Sequence, residues 1–158
     1  MSYRIEPTDA PGLKFAGELV AGVGERKTIE SHGQMTRAFT PVTGGRFDGP
    51  DIKATVLEGG GDYSTDIDGV FRLDARYLME TADGDVIEIQ NRGVGHSTPE
   101  LFAQMEEEGR ASLDSVYFRT TALFFTDSAA NGWLSEKVFV GIGREFGAEI
   151  VLHIYEVQ

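Results

Sequence analysis

The sequence predicts a mainly β protein, a single closed antiparallel β-barrel with one short α-helix. Turn-forming residues interrupt the chain about every 8–12 residues, a spacing typical of sandwiches and barrels of antiparallel strands. Residues 70–93 form the clearest hairpin, because two runs with period-two alternation flank Asp83-Gly84. One stretch, 98–108, instead has a helical pattern. A chain of 158 residues can bury one sizeable core, so we expect one domain over residues 1–158.

The other elements follow from short runs bounded by turn residues. Further strands are expected at 13–23, 35–42, 52–57, 62–66, 116–125, 137–143 and 148–157. Gly44-Gly45 is expected to end the strand at 35–42, and residues 127–132 allow a helical turn before Trp133. The helix begins at a hydroxyl cap followed by Pro99 and Glu100, and it ends before Gly109.

Charge and composition exclude several classes of partner. The chain has 14 Lys and Arg residues against 26 Asp and Glu residues, a formal net charge of −12 at pH 7. Nucleic acids and anionic membrane surfaces require clustered basic residues, so neither is expected to bind. No run approaches the roughly 18 apolar residues of a membrane span, and the N-terminus lacks the apolar core of a secretory signal. With no cysteine in the chain, we expect a soluble cytoplasmic protein.

The last two predicted strands are apolar on both faces. Val138 and Val140 oppose Phe139, and Leu152 opposes Val151 in the same way. One face of a barrel strand points outward, so apolar residues there need a cover. The cover is expected to be either the helix or another subunit, and we predict a homo-oligomer, most simply a dimer that meets through sheet faces.

Several short phrases resemble a known family in their order and spacing. They are Gly44-Gly45-Arg46-Phe47-Asp48-Gly49-Pro50, Gly61-Asp62-Tyr63, Leu73-Asp74-Ala75-Arg76-Tyr77, Asn91-Arg92-Gly93, Tyr117-Phe118-Arg119-Thr120-Thr121 and Trp133-Leu134. The set resembles the domain of unknown function 3237 family, also called uncharacterised protein family 0311, over about residues 35–157. The resemblance implies a closed barrel similar to allene oxide cyclase and to the calycins. A few members of that family are associated with natural-product cyclisation, in which an oxygen nucleophile adds across an alkene.

The hairpin has an apolar face and a charged face. Phe71, Leu73, Ala75, Tyr77 and Met79 alternate with Arg72, Asp74 and Arg76. If the charged face and its neighbours line the barrel, three guanidiniums, a carboxylate and a phenol converge in one cavity. Such a set can hold a carboxylate or an enolate while an aspartate moves a proton. The alternative is a structural network of ion pairs that plugs a narrow barrel.

The candidate site residues fall into two groups. The catalytic candidates are Asp62, Asp74, Arg119 and Tyr117, and the substrate-binding candidates are Arg76, Arg92, Tyr63, Tyr77, Thr121 and Trp133. An aspartate is expected to act as acid or base, the arginines to hold developing negative charge, and Tyr117 to donate a hydrogen bond. Arg119 is the strongest candidate, because it is the one charge within 117–121; Arg119→Met is expected to fold and to lose ligand binding.

Other motifs do not support a site. Gly141-Ile142-Gly143 opens no helix of a nucleotide-binding βαβ unit, the three histidines lack ligand-like spacing, and no serine lies in a Gly-x-Ser-x-Gly elbow. We therefore expect no metal and no cofactor.

The sequence predicts a barrel that binds a small organic molecule, and the leading interpretation is a cofactor-free enzyme. The expected reaction is a proton transfer, isomerisation, cyclisation or addition on an anionic or carbonyl-bearing substrate. Two alternatives stay open, a non-catalytic lipocalin-like carrier and a structural subunit with a plugged barrel.

Overall fold

The computed structural model describes residues 4, 7–96, 100 and 116–158, and about two thirds of these residues lie in antiparallel strands. The described strands are β1 (Leu13–Val23), β2 (Lys27–His32), β3 (Met35–Asp48), β4 (Lys53–Val56), β5 (Gly61–Ile67), β6 (Val70–Thr81), β7 (Val86–His96), β8 (Tyr117–Phe125), β9 (Val138–Phe146) and β10 (Glu149–Val157). A short 3-10 helix, Gly132–Glu136, connects β8 to β9. The helix predicted over 98–108 falls, apart from Glu100, outside the described residues.

The strands close into an eight-stranded antiparallel barrel, which confirms the predicted fold class. β1 pairs with β10, and neighbouring strands pair in turn from β10 back to β6. β4 and β5 both pair with β6 on one side and with successive halves of β3 on the other. β1 and β2 likewise follow one another along the opposite edge of β3. Ten strands therefore occupy eight positions around the barrel.

The prediction that Gly44-Gly45 ends a strand is wrong, because β3 continues through both glycines to Asp48. Their φ angles are 138° and 142°, a backbone conformation that residues with a Cβ rarely adopt. A Cβ on Gly45 would lie 1.9 Å from the carbonyl oxygen of Val20 on β1. The register between β1 and β3 shifts next to this point. The glycines thus let β3 bend and pass close to β1, which helps to close the barrel.

The two-residue type I′ turn joins β5 to β6, and not β6 to β7 as predicted. Asp68 and Gly69 have φ angles of 53° and 79° and join the paired residues Ile67 and Val70, as a type I′ turn requires. Between β6 and β7, Thr81 N–H instead donates to the carbonyl oxygen of Asp85, leaving a three-residue loop whose Gly84 has φ 85°. The hairpin at 70–93 is confirmed, but its turn is one residue longer than predicted.

The barrel is filled at one end and open at the other. Phe124 packs edge-on against Phe47 and Phe139, with ring centroids 6.4 and 5.0 Å apart, and Leu134 of the 3-10 helix is buried beside them. Toward the other end the inward positions carry small residues, among them Ala75, Gly95 and Gly143. A Cβ on Gly143 would lie 2.3 Å from the Phe118 ring. Small residues at these positions leave room for aromatic side chains and for a cavity.

Candidate functional site

The open end of the barrel contains a cavity of about 640 Å³. Its mouth lies among the β1–β2 connection, the β5–β6 and β9–β10 turns and the ends of β7 and β8. Its wall is mainly apolar and includes Phe71, Leu73, Phe118, Ile150 and Leu152. A volume of this size is typical of small-molecule sites, which are usually apolar with a few polar groups.

Asp62 is the carboxyl group in the wall of this cavity that carries the clearest chemical signal. It lies on β5 and is partly buried, and its Oδ1 accepts a hydrogen bond of 2.8 Å from the backbone N–H of Asp74. Loss of water contact raises the pKa of Asp62 to about 6; the Asp74 charge adds to this rise, while the backbone hydrogen bond and Arg26 oppose it. A carboxyl group with this pKa can give or take a proton near neutral pH.

Asp62 belongs to a row of inward-facing residues that crosses neighbouring strands. Asp62 pairs with Ala75 on β6, Ala75 pairs with Asn91 on β7, and Asn91 pairs with Ala122 on β8. Asn91 is 1% exposed and lines the cavity, yet its Oδ1 has no hydrogen-bond partner. The row therefore places a carboxyl group and a carboxamide on either side of a small methyl group.

Tyr77 lies two residues beyond Ala75 on the same face of β6. Its side chain is buried and lines the cavity. Burial, with a smaller contribution from the charge of Asp62, raises the pKa of Tyr77 above its usual value. The phenol therefore keeps its proton at neutral pH.

The mouth of the cavity is rich in acidic groups. Glu25, Asp66 and Glu145 line it together with Arg26 and His96. Loss of water contact raises the pKa of Glu145, and the charge of Arg26 lowers it. Arg26 thus acts on both Glu145 and Asp62, which lie on different strands.

The structure brings most of the predicted site residues together, but on the outside of the barrel. The condition that the charged face of the hairpin lines the interior is not met, because β6 turns its apolar face inward. Six candidates are exposed on the outer faces of β6, β7 and β8: Asp74, Arg76, Arg92, Tyr117, Arg119 and Thr121. Burying several guanidinium groups inside the barrel would cost much more free energy than leaving them in water. The charged face therefore points outward, and the apolar face fills the barrel. Of the ten predicted site residues, Asp62 and Tyr77 line the inner cavity.

The outer candidates form their own surface contacts. Arg92 Nε lies 3.2 Å from Asp74 Oδ1, and the two side chains are 68% and 53% exposed. Arg119 Nη1 donates to the carbonyl oxygen of Phe118 over 3.0 Å, and its guanidinium lies 5.0 Å from the centre of the Tyr117 ring. Arg92, Tyr117, Arg119 and Thr121 line a shallow outer groove of about 750 Å³. The predicted network of ion pairs therefore exists in part, but it does not plug the barrel.

The last two candidates lie apart from both surfaces. Tyr63 is 63% exposed, and its ring centre lies 4.8 Å from that of Phe39. Trp133 is on the 3-10 helix at the filled end of the barrel, where its ring centre lies 6.0 Å from that of Phe139. Neither residue lines the cavity or the groove.

Sequence reasoning missed Asn91, Arg26 and Glu145 as cavity residues. A signal for Asn91 was present, because it shares a period-two face with the apolar residues Ile87 and Ile89. Arg26 lies in a connection between strands, and Glu145 lies beyond the predicted end of its strand, so alternation did not place them. Within the described part of the chain, no cluster of three or more His, Cys, Asp or Glu side chains is arranged to hold a metal ion. The same part contains no helix long and apolar enough to cross a membrane.

Comparison with known proteins gives several relatives of similar length. The chain is 28% identical over 146 residues to the UPF0311 protein blr7842 of Bradyrhizobium diazoefficiens, covering 92% of this chain and 95% of that one. The crystal structure of the conserved protein of unknown function RPA1785 from Rhodopseudomonas palustris superposes with a TM-score of 0.88. It is 27% identical, and the match covers 96% of this chain and all of that chain.

The chain is also similar, more distantly, to proteins of Penicillium herquei. The protein named hydroalkoxylation enzyme phnH of Penicillium herquei is 31% identical over 74 residues, which is 47% of this chain and 50% of that one. A crystal structure of an enzyme from Penicillium herquei has a TM-score of 0.74 at 23% identity over the whole of both chains. At this identity the structural likeness shows a shared fold.

A family model matches residues 11–157, so the match begins well before residue 35, where the sequence resemblance was placed. The barrel, the matched length and the relatives agree, and the chain belongs to the family described as Protein of unknown function (DUF3237).

Proposed function

We propose that this protein is a cofactor-free enzyme that performs acid–base chemistry on a small organic molecule bound inside the barrel. The observation that carries the proposal is Asp62, a carboxyl group in the wall of a largely apolar cavity with its pKa raised to about 6. General acids and bases work best when their pKa lies near the working pH. Perturbed carboxyl groups in clefts are frequent at active sites.

The neighbours of Asp62 suit this role. The backbone N–H of Asp74 holds one carboxyl oxygen in place, so the other oxygen is free to face a ligand. Tyr77 remains protonated and can donate a hydrogen bond to a carbonyl or enolate oxygen. The wall is mainly apolar, and a bound ligand that displaces water from it would strengthen both interactions.

Proton transfer alone suffices for isomerisation, cyclisation or addition. In an addition, the carboxylic acid of Asp62 protonates one alkene carbon while a hydroxyl oxygen bonds to the other. The hydroxyl proton then returns to the Asp62 carboxylate, so the net change is the addition of O–H across the double bond. Hydroalkoxylation is a reaction of this kind, and the name of the Penicillium herquei relative supports the proposal.

The test compares Asp62→Asn with Asp74→Asn. Native mass spectrometry of protein purified from its own host identifies a co-purifying ligand, and turnover of that ligand is then measured for each variant. Asp62→Asn keeps the acceptor for the Asp74 N–H but cannot exchange a proton, so kcat is expected to fall about 10²–10⁴-fold. Asp74→Asn keeps the backbone N–H that holds Asp62 and removes only the smaller contribution of the Asp74 charge to the pKa of Asp62, so kcat is expected to stay within about threefold of wild type.

Unchanged turnover in Asp62→Asn would contradict the proposal. The alternative is a non-catalytic, lipocalin-like carrier, which the apolar wall of the cavity favours. In that case the ligand binds and is recovered unaltered from both variants and from the wild type.

We further propose that the protein is cytoplasmic and that it forms a homodimer. Val138, Val157 and Leu13 are paired across the neighbouring strands β9, β10 and β1, and Leu123 on β8 follows Ala122, which pairs with Phe139 next to Val138. Leu123, Val138 and Leu13 are more than half exposed in the single chain. Exposed apolar faces of this extent commonly mark contacts between proteins.

A further inference from the structure

Asn91 is a buried residue of the barrel whose carboxamide oxygen lacks a hydrogen-bond partner. Four buried side-chain atoms in the described part of the chain have none: Ser64 Oγ, Asn91 Oδ1, Thr120 Oγ1 and Arg144 Nε. Asn91 is the one of these residues that lines the inner cavity. A buried acceptor without a donor costs stability, and its persistence in a cavity wall is explained if a ligand supplies the donor.

The surroundings of Asn91 leave space for such a ligand. Ala75 lies between Asn91 and Asp62 in the inward-facing row, so the wall between the two polar groups is only a methyl group deep. Two strand spacings separate the backbones of Asn91 and Asp62, a distance of about 10 Å. A ligand that reaches Asn91 therefore lies beside Asp62 as well.

The charges of the cavity restrict what can enter it. Among the described residues of its wall and mouth there are four carboxyl groups, Glu25, Asp62, Asp66 and Glu145, against a single arginine, Arg26. The rest of the wall is mainly apolar, with Phe71 and Phe118 near the mouth. An anion would face net repulsion in a site of low dielectric constant, whereas an uncharged molecule would not.

We propose that the cavity binds uncharged organic molecules that carry a hydroxyl group, and that this hydroxyl donates its hydrogen bond to Asn91 Oδ1. Asn91 is thus a specificity-determining residue that orients the ligand against Asp62. The proposal rests on the assignment of the barrel interior as the ligand site. It narrows the substrate class from anionic or carbonyl-bearing molecules to uncharged, hydroxyl-bearing ones.

The test uses three probes of similar size: 2-naphthol, 2-methoxynaphthalene and 2-naphthoate. The first donates a hydrogen bond, the second cannot, and the third is an anion. Calorimetric titration at pH 8 is expected to show that 2-naphthol binds about tenfold more tightly than either of the other two probes. One well-made hydrogen bond accounts for a difference in affinity of this size. Ala75→Leu, which fills the wall between Asp62 and Asn91, is expected to abolish binding of all three.

Matched variants locate the preference. Asn91→Leu removes the acceptor at nearly constant volume, and the preference for 2-naphthol over 2-methoxynaphthalene is expected to fall below about twofold. Gln90→Leu makes a comparable change on the next residue, whose amide donates to Glu88 Oε1 over 2.8 Å, and it is expected to keep the preference. If Asn91→Leu does not fold, Asn91→Ala removes the same oxygen.

The outcomes separate this inference from the proposed function. Equal binding of the hydroxyl and methoxy probes by wild type, or a preference that survives the loss of Asn91, overturns the role of Asn91 and leaves the cavity as the ligand site. Tighter binding of 2-naphthoate overturns the selection for uncharged ligands. Binding that Ala75→Leu does not affect overturns the assignment of the cavity itself, and with it the proposed function.

Discussion

Asp62 and Asp74 are in contact through a hydrogen bond, yet they lie in opposite environments. The N–H of Asp74 donates to Asp62 Oδ1 over 2.8 Å, but the Asp62 side chain faces the cavity while that of Asp74 faces solvent. Inside, loss of water raises the pKa of Asp62 to about 6. Outside, Asp74 pairs with Arg92 in water, where such a pair contributes little to stability. The direction of a side chain on its strand therefore decides which aspartate can act as an acid or base.

The same contrast extends along both faces of the β6–β7 hairpin. The inner face carries Leu73, Ala75 and Tyr77, which are buried, and the outer face carries Arg72 and Arg76, which are exposed. Burying an apolar side chain stabilises the fold by about 1.5–3 kcal/mol, whereas burying an unpaired charge costs several. The two faces therefore cannot be exchanged, and the comparison predicts how variants on each should behave.

The largest difference is expected between Met79 and Leu78, which are neighbours on β6. Met79 is fully buried and Leu78 is 42% exposed. Met79→Ala leaves a void in the filled end of the barrel and is expected to lower the free energy of unfolding by about 2–5 kcal/mol. Leu78→Ala is expected to lower it by less than about 1 kcal/mol. Urea unfolding followed by circular dichroism measures both, and similar losses in the two variants would show that the assigned faces are wrong.

The second difference concerns pH and again compares the two aspartates. The pKa of Asp62 in the folded protein is about 6, above its ordinary value of 3.8. The folded state therefore binds the proton more tightly than the unfolded state, and stability from this group is present below about pH 4 and is lost as the pH rises through 6. Asp62→Asn cannot ionise, so at pH 8 it is expected to be more stable than wild type by roughly 2–3 kcal/mol.

The control for this prediction is Asp74→Asn on the outer face. Unfolding free energies are measured for wild type and both variants from pH 4 to pH 8. The advantage of Asp62→Asn should vanish at pH 4 and grow toward pH 8. Asp74→Asn, which removes only the smaller contribution of the Asp74 charge to the pKa of Asp62, should follow wild type within about 1 kcal/mol. An advantage that does not change with pH would mean that Asp62 does not titrate near 6.

These contrasts explain how far the sequence predicted the fold. Alternation in residues 70–93 and the spacing of turns identified the barrel, because both patterns are local. The continuation of β3 through Gly44-Gly45 depends on the close approach of Val20, a contact distant in sequence. The type I′ turn lies at Asp68-Gly69 and not at Asp83-Gly84, because both dipeptides satisfy the same local rule and the sequence alone does not choose between them.

The site was harder to predict than the fold. Asp62 and Tyr77 line the cavity. Asp74, Arg92 and Arg119 were selected because of their charge, and charge alone does not say which way a strand faces. The apolar partners of Tyr77 on β6 already indicated which face was buried. Asn91 was missed because its importance depends on being left without a partner inside the barrel, which only the assembled strands show.

The smallest effect is expected for Arg119, the strongest candidate from the sequence. Its guanidinium is exposed, lies 5.0 Å from the centre of the Tyr117 ring and donates to the carbonyl oxygen of Phe118. Arg119→Met removes a surface cation–π contact and one exposed hydrogen bond, so we expect a loss of less than about 1 kcal/mol in unfolding free energy. Because Arg119 does not line the cavity, the affinity for 2-naphthol is expected to stay within about twofold of wild type, unlike that of Ala75→Leu. A large loss of affinity in Arg119→Met would instead place the ligand in the outer groove, where Arg92 and Thr121 also lie.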